Sequence, residues 1–153
     1  MSAHDAIRYD TETSDVYKAL IAAEGAISAS GIEPTLKHLV KLRASQINGC
    51  SYCVDMHSHE ARVDGETEQR LYLVAAWRES PLFTERERAA FAWVEAVTRV
   101  ADGGMPDALY RATLEHFTEA DLVKLTVAVG IINIWNRLSV AFHALHPVRG
   151  TEA

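Results

Sequence analysis

Apolar residues recur at three- and four-residue spacing along most of the chain, and no run of strict apolar–polar alternation lies between turn residues. That period is helical, so strands are not expected. Val16, Leu20, Ile21 and Ile27 predict a first helix from Ser14 to about Ser30, stopped by Gly31. Glu33-Pro34 opens a second, which runs through Leu36, Leu39, Val40, Leu42 and Ile47 to Asn48-Gly49. A third begins near Cys50 and ends near Gly65. A fourth covers Glu66 to about Trp77, with Glu66 and Arg70 one turn apart on its surface. After the Ser80-Pro81 break, Thr84 to Glu87 is a capping box for a fifth helix reaching about Ala101. The loop Asp102 to Pro106 leads to a short helix from Asp107 to His116. Thr118 caps a last helix that runs to about Leu145. The expected fold is all-α, one domain over residues 1–153 with about seven helices.

The last helix is unusual. Val127, Ala128, Val129, Ile131, Ile132 and Ile134 are apolar nearly all round it. Such a helix is either the centre of the core or is buried against a second subunit. The pattern alone leaves both open.

Composition narrows the classes. A length of 153 residues, 48% hydrophobic and 24% charged, is ordinary for a globular chain with its own core. Fifteen basic against twenty-one acidic residues give a net charge of −6, which argues against a nucleic-acid partner. Leu125 to Trp135 is too short and too polar to span a membrane. Residues 1–10 show no basic segment followed by an apolar run, so no export signal is read there and a cytoplasmic location is expected. In that setting two cysteines three residues apart point to redox or metal chemistry before a structural staple.

The chemistry concentrates at Cys50-Ser51-Tyr52-Cys53 and the following His57. Gly49 ends one helix and Cys50 falls at the start of the next, where unpaired backbone N–H groups stabilise a thiolate. Cys50, Cys53 and His57 stand at i, i+3 and i+7, on one helix face. The two thiols are near enough to close a disulfide, as an attacking and a resolving cysteine do. The amides favour Cys50 as the attacking thiol and the imidazole favours Cys53, so these cues do not choose between them. Inert core cysteines are the bland alternative. Zinc is the stronger one, with Cys50, Cys53 and His57 as three ligands. His38 or His59 would then have to supply a fourth, and His59 lies about 200° round the helix from His57. The string His57-Ser58-His59-Glu60 does not match the HExxH pattern.

The stretch from Lys41 to Ser58, KLRASQINGCSYCVDMHS, resembles the core of the alkyl hydroperoxidase D-like proteins of the carboxymuconolactone decarboxylase superfamily. The likeness continues at Gly65 to Tyr72, Ala75 to Glu79, Glu85 to Ala90 and Ile132 to Arg137, and so spans about Gly31 to Arg137. It implies an all-α homo-oligomer, usually a trimer or hexamer, that reduces peroxides, or more generally disulfides, through its CxxC. In the pattern it resembles, the cysteine matching Cys53 attacks, the one matching Cys50 resolves, and the histidine matching His57 belongs to a proton relay. Two positions depart. His38 stands where the relay has a glutamate, and Tyr52 where the founding enzyme has a histidine. A histidine passes protons near neutral pH, so His38 is a candidate for the glutamate's work. The decarboxylase branch does not rely on a cysteine pair, and the intact CxxC points away from it.

The expected activity is therefore a thiol peroxidase acting through Cys50, Cys53, His57 and His38, with no organic cofactor or metal. Its partners are a hydroperoxide substrate and an external dithiol that resets the pair. The alternatives are a disulfide reductase or redox-partner protein, and a helical binding module whose cysteines are idle or hold zinc. A site near His38, Tyr52 and His57 is expected, with Trp135 or Trp77 in its wall.

Overall fold

A computed structural model describes Arg8 and residues 14–150; the segment read for an export signal lies, apart from Arg8, outside the described residues. Among the described residues eight α-helices follow one another: α1 (Ser14–Ser28), α2 (Pro34–Asn48), α3 (Ser51–Val63), α4 (Glu68–Leu73), α5 (Glu85–Thr98), α6 (Val100–Gly103), α7 (Asp107–Leu114) and α8 (Glu119–Ala141). No strand occurs among the described residues, and no helix among them is long and apolar enough to cross a membrane.

Local chemistry sets most boundaries. Pro34 opens α2. The Thr84 hydroxyl accepts from the Glu87 N–H while the Glu87 carboxylate accepts from the Thr84 N–H, the reciprocal cap that starts α5. Thr118 caps α8 through the Asp121 N–H. Three ends differ from the sequence pattern. The fourth helix is cut to six residues and tightens into a 3-10 turn at Val74–Ala76, which sends Val74 and Trp77 into the core. The fifth stops at Thr98, and α6 is a separate single turn. The last ends at Ala141, before His143 takes a positive φ of 50°. The Glu66–Arg70 pair is also no surface pair. Arg70 reaches Glu66 and Glu87 together, and the Glu66 side chain is nearly buried.

α2 is the hub. Leu36, Val40 and Ala44 pack with Val94 of α5 and with Leu125, Val129 and Ile132 of α8. Its other face carries Leu39 and Leu42 against Phe91, Val74 and Trp77. α1 lies across α8 through Ile27, Ala128 and Ile131. α8 is thus a core helix along Leu122, Leu125, Val129 and Ile132. Its opposite side leaves Val123, Val127 and Ile134 bare, at 63%, 46% and 40% exposure.

The C-terminus of α2 is fixed twice. Gly49, at φ 65°, turns the chain, so that its N–H reaches the Gln46 carbonyl and the Cys50 N–H reaches that of Ser45. Both orphaned carbonyls are satisfied and the chain reverses within one residue. Beside this turn lies a polar cluster whose inner members, Ser45 and Asn136, are buried. The Asn48 amide donates to the side-chain oxygens of Asn133 (3.0 Å) and Asn136 (2.9 Å). Asn136 donates to Ser45 Oγ (3.0 Å), which donates to the Lys41 carbonyl. These bonds tie the residues just before the CxxC to α8. Replacing Asn136 by alanine strands buried partners, and a loss of about 2–3 kcal/mol is expected in urea unfolding. A loss below 0.5 kcal/mol would show that the cluster does not hold the junction.

Candidate active site

Cys50 is the last residue of the Gly49 turn and the N-cap of α3. Its backbone is extended (φ −85°, ψ 97°), and its sulfur accepts from the Cys53 N–H at 3.2 Å. Cys50 and Cys53 are joined in a disulfide with their Cα atoms 5.4 Å apart, and each is only 1% exposed. In this state the two sulfurs are bonded to one another and are not free thiolates.

The two sulfurs belong to different clefts. Cys53 lines a cleft of about 670 Å³ with Tyr17, Tyr52, Met56, His57 and Trp135 among its walls. Cys50 lines a separate cleft of about 190 Å³ between Ser51, Val140 and His143. Ser139 reaches both, with its hydroxyl 3.8 Å from Cys53 Sγ. Tyr17 stands edge-on to Trp135 across the larger cleft (ring centroids 5.5 Å). Trp77, the other tryptophan expected in the wall, is instead in the core. It packs on Phe91 and donates to Glu95, which Arg43 and Arg78 also hold.

His57 is buried one turn below Cys53. Its Nδ1 lies 3.1 Å from Glu60 Oε2, and its Nε2 has no partner. The carboxylate places the ring proton on Nδ1 and leaves Nε2 as a base. His38 stands across the cleft from α3. Its Nδ1 is 3.9 Å from the same Glu60 oxygen, and its Nε2 is 2.7 Å from Asp64 Oδ2. Glu60 therefore sits between the two imidazoles. His59 is exposed at the rim and joins neither bond. Lys41, buried on α2, pairs with Glu24 of α1 on the far wall.

Burial pushes the His57 pKa below its ordinary value of 6.5, and the hydrogen bond His57 donates to Glu60 only partly opposes this. The ring is thus neutral and able to accept a proton at neutral pH. The His57 hydrogen bond holds the Glu60 carboxyl below the usual carboxylate range, against some desolvation. Desolvation also lowers the Lys41 pKa.

Cys50, Cys53, His57 and His38, read from the sequence, all lie at this centre. Glu60 and Ser139 were missed. Glu60 is three residues beyond His57, the spacing of two side chains on one helix face. Ser139 is 86 residues from Cys53, and no local pattern links them.

The chain belongs to the carboxymuconolactone decarboxylase family, whose pattern it matches over residues 14–96. Within that superfamily it is an alkyl hydroperoxidase D-like protein. It is 40% identical to the uncharacterised protein YdfG of Bacillus subtilis over 81% of this chain and 84% of that one. The structure superposes with a TM-score of 0.91 on ATU0492 from Agrobacterium tumefaciens, a protein of unknown function assigned provisionally to antioxidant defence as AhpD. That pair shares 48% identity over 94% of this chain and 98% of the other. The fold also matches an uncharacterised peroxidase-related protein from Silicibacter sp. TM1040, at TM-score 0.78 and 20% identity, over 88% of this chain and 72% of that one.

The depressed pKa has a stability consequence. A folded value below the unfolded one means that the His57 contribution is present above about pH 6.5 and is lost as pH falls through the folded value. Glu60→Gln removes a bond that favours the protonated ring, so the His57 titration midpoint is expected to fall further. Histidine NMR of both proteins between about pH 8 and pH 5 reads this directly. A midpoint that rises in the variant contradicts the assigned coupling.

Proposed function

We propose that the chain is a thiol peroxidase in which Cys53 attacks the O–O bond of a hydroperoxide. The observation that carries this reading is the Cys50–Cys53 disulfide, with Cys53 on the larger cleft beside the His57–Glu60–His38 array. His57 Nε2 takes the thiol proton from Cys53. The thiolate attacks the distal peroxide oxygen, an S–O bond forms as O–O breaks, and the leaving alkoxide receives that proton. Cys53 is then a sulfenic acid. The Cys50 sulfur attacks it, S–S forms, S–O breaks, and water leaves with the Cys50 proton. The disulfide in the structure is the state expected at the end of this half-cycle. An external dithiol supplies two electrons and two protons to restore both thiols.

Glu60 holds the relay tautomer of His57 and partly replaces the carboxylate that relatives of this type carry at the place of His38. His38, buttressed by Asp64, is the next proton carrier towards solvent.

Stopped-flow mixing of the dithiol protein with hydroperoxides, followed by tryptophan fluorescence, tests the assignment. Cys53→Ser is expected to abolish the fast phase. Cys50→Ser is expected to keep it and to accumulate a sulfenic acid that dimedone traps. His57→Ala is expected to slow it about 100-fold. Loss of the phase in Cys50→Ser alone reverses the two roles. Peroxide reacting no faster than with free cysteine, alongside rapid exchange with disulfides, makes the chain a disulfide reductase instead.

The bare stripe Val123, Val127 and Ile134 on α8 supports a homo-oligomer, a trimer or hexamer, in which this face meets another copy. Val127→Asp with Ile134→Asp is expected to give monomers in sedimentation velocity. An unchanged sedimentation coefficient removes α8 from the interface.

A further inference from the structure

The array beside the disulfide has a second capacity. One ring nitrogen of His38, one of His57 and one oxygen of Glu60 all lie within 4.8 Å of one another. Tetrahedral zinc, with bonds of about 2.0–2.1 Å, holds its ligands about 3.3 Å apart. Here His57 Nδ1 and Glu60 Oε2 are 3.1 Å apart, and His38 Nδ1 and Glu60 Oε2 are 3.9 Å apart. Glu60 has the most exposed side chain of the three, at 47%, so a change of its rotamer can close the longer gap.

Two further observations point to a ligand. His38 Nδ1, a ligating atom of this set, is a buried ring nitrogen with no hydrogen-bond partner, and His57 is only 4% exposed. Asp64 also bonds the other nitrogen of His38, at 2.7 Å. That carboxylate keeps the His38 proton on Nε2 and leaves the Nδ1 lone pair aimed at Glu60. A carboxylate behind the distal nitrogen is how proteins orient a metal-bound imidazole.

We infer that His38, His57 and Glu60 form a binding site for a first-row divalent cation of the zinc class. Two imidazoles and one carboxylate are a donor set for such ions, and the remaining positions face the cleft. The site does not use the sulfurs, so it is available in the disulfide state. A cation on His57 Nδ1 moves the ring proton to Nε2. The ring then has no lone pair for the Cys53 thiol, so occupancy and proton relay exclude one another. This last consequence rests on the peroxidase reading; the site does not.

The test uses the full chain, oxidised with diamide and stripped with EDTA. Zn²⁺ is titrated in competition with a chromophoric chelator. One ion per chain is expected, with micromolar or tighter affinity. His38→Ala and Glu60→Gln are each expected to weaken it at least tenfold, and Asp64→Asn about tenfold. His146→Ala, at an exposed position away from the cleft, is the control that keeps full affinity. Circular dichroism checks that the variants fold, and the isosteric Glu60→Gln decides if His38→Ala does not. In long-range ¹H–¹⁵N spectra, Zn²⁺ is expected to convert His57 to the Nε2–H tautomer. Failure to bind below the millimolar range overturns the site. So does affinity that survives both His38→Ala and Glu60→Gln. No peroxide is present, so either result is independent of whether Cys53 is a peroxidase thiol.

Discussion

The centre depends on how one helix ends. α2 closes on a left-handed glycine, and its last carbonyls are taken by the N–H groups of Gly49 and Cys50. Cys50 is consequently two things at once, the tail of one helix cap and the N-cap of the next helix. Its extended backbone lets its sulfur accept from the Cys53 N–H, and this brings the second sulfur round within one turn. None of this would stay in register if the junction could slide along α8. The amides of half-buried Asn48 and buried Asn136, with Ser45, prevent sliding. Their donors and acceptors match in one arrangement, and leaving one unmade costs more than making it gains. The apolar contacts of α2 supply cohesion, while these few hydrogen bonds supply position.

Electrostatics then give the positioned sulfurs a polarity. His57 is buried enough to be neutral, and a carboxylate one turn further along α3 decides which nitrogen holds the proton. In the resembled relay the carboxylate comes from the preceding helix, at the place of His38. Here that helix offers an imidazole, and α3 provides the acid from Glu60. The exchange keeps one carboxylate against the buried histidine and adds a second ring backed by Asp64. It also draws two imidazoles and a carboxylate within 4.8 Å of one another.

Much of this was legible in the sequence, for identifiable reasons. Helix periods, the Pro34 start, the Thr84 and Thr118 caps and the Gly49 stop are local, and local chemistry fixed them. Cys50, Cys53 and His57 share a face because i, i+3 and i+7 must do so on any α-helix. What was hidden depends on packing. Glu60 reads as one more charge on a solvated stretch until His38 of α2 is brought against it. Asn136 and Ser139 sit in a helix whose apolar sequence announces only burial, so their polar roles emerge once α8 meets α2 and α3. The break in the fourth helix is similar. Val74 and Trp77 are drawn inward against Phe91, and a 3-10 turn is the backbone that brings both to the core.

The arrangement of clefts separates the two halves of the proposed cycle. Cys53 lines the larger cleft with the histidines and Trp135, whereas Cys50 lines a smaller one on the other side of the pair. Disulfide exchange proceeds with the incoming thiolate, the attacked sulfur and the leaving sulfur roughly in line, and the leaving thiolate is the one best stabilised. The Ser139 hydroxyl lies 3.8 Å from the Cys53 sulfur, so in the proposed cycle Cys53 is the better-solvated departing anion. A reductant arriving from the smaller cleft would thus bond to Cys50 and release Cys53 already ionised on the side where peroxide enters. Ser139 touches both clefts and lies within hydrogen-bonding reach of the Cys53 sulfur, so its hydroxyl is placed to solvate that anion as it forms. In the proposed cycle the disulfide thus stands between an oxidant side and a reductant side, and the α2–α3 turn holds it there.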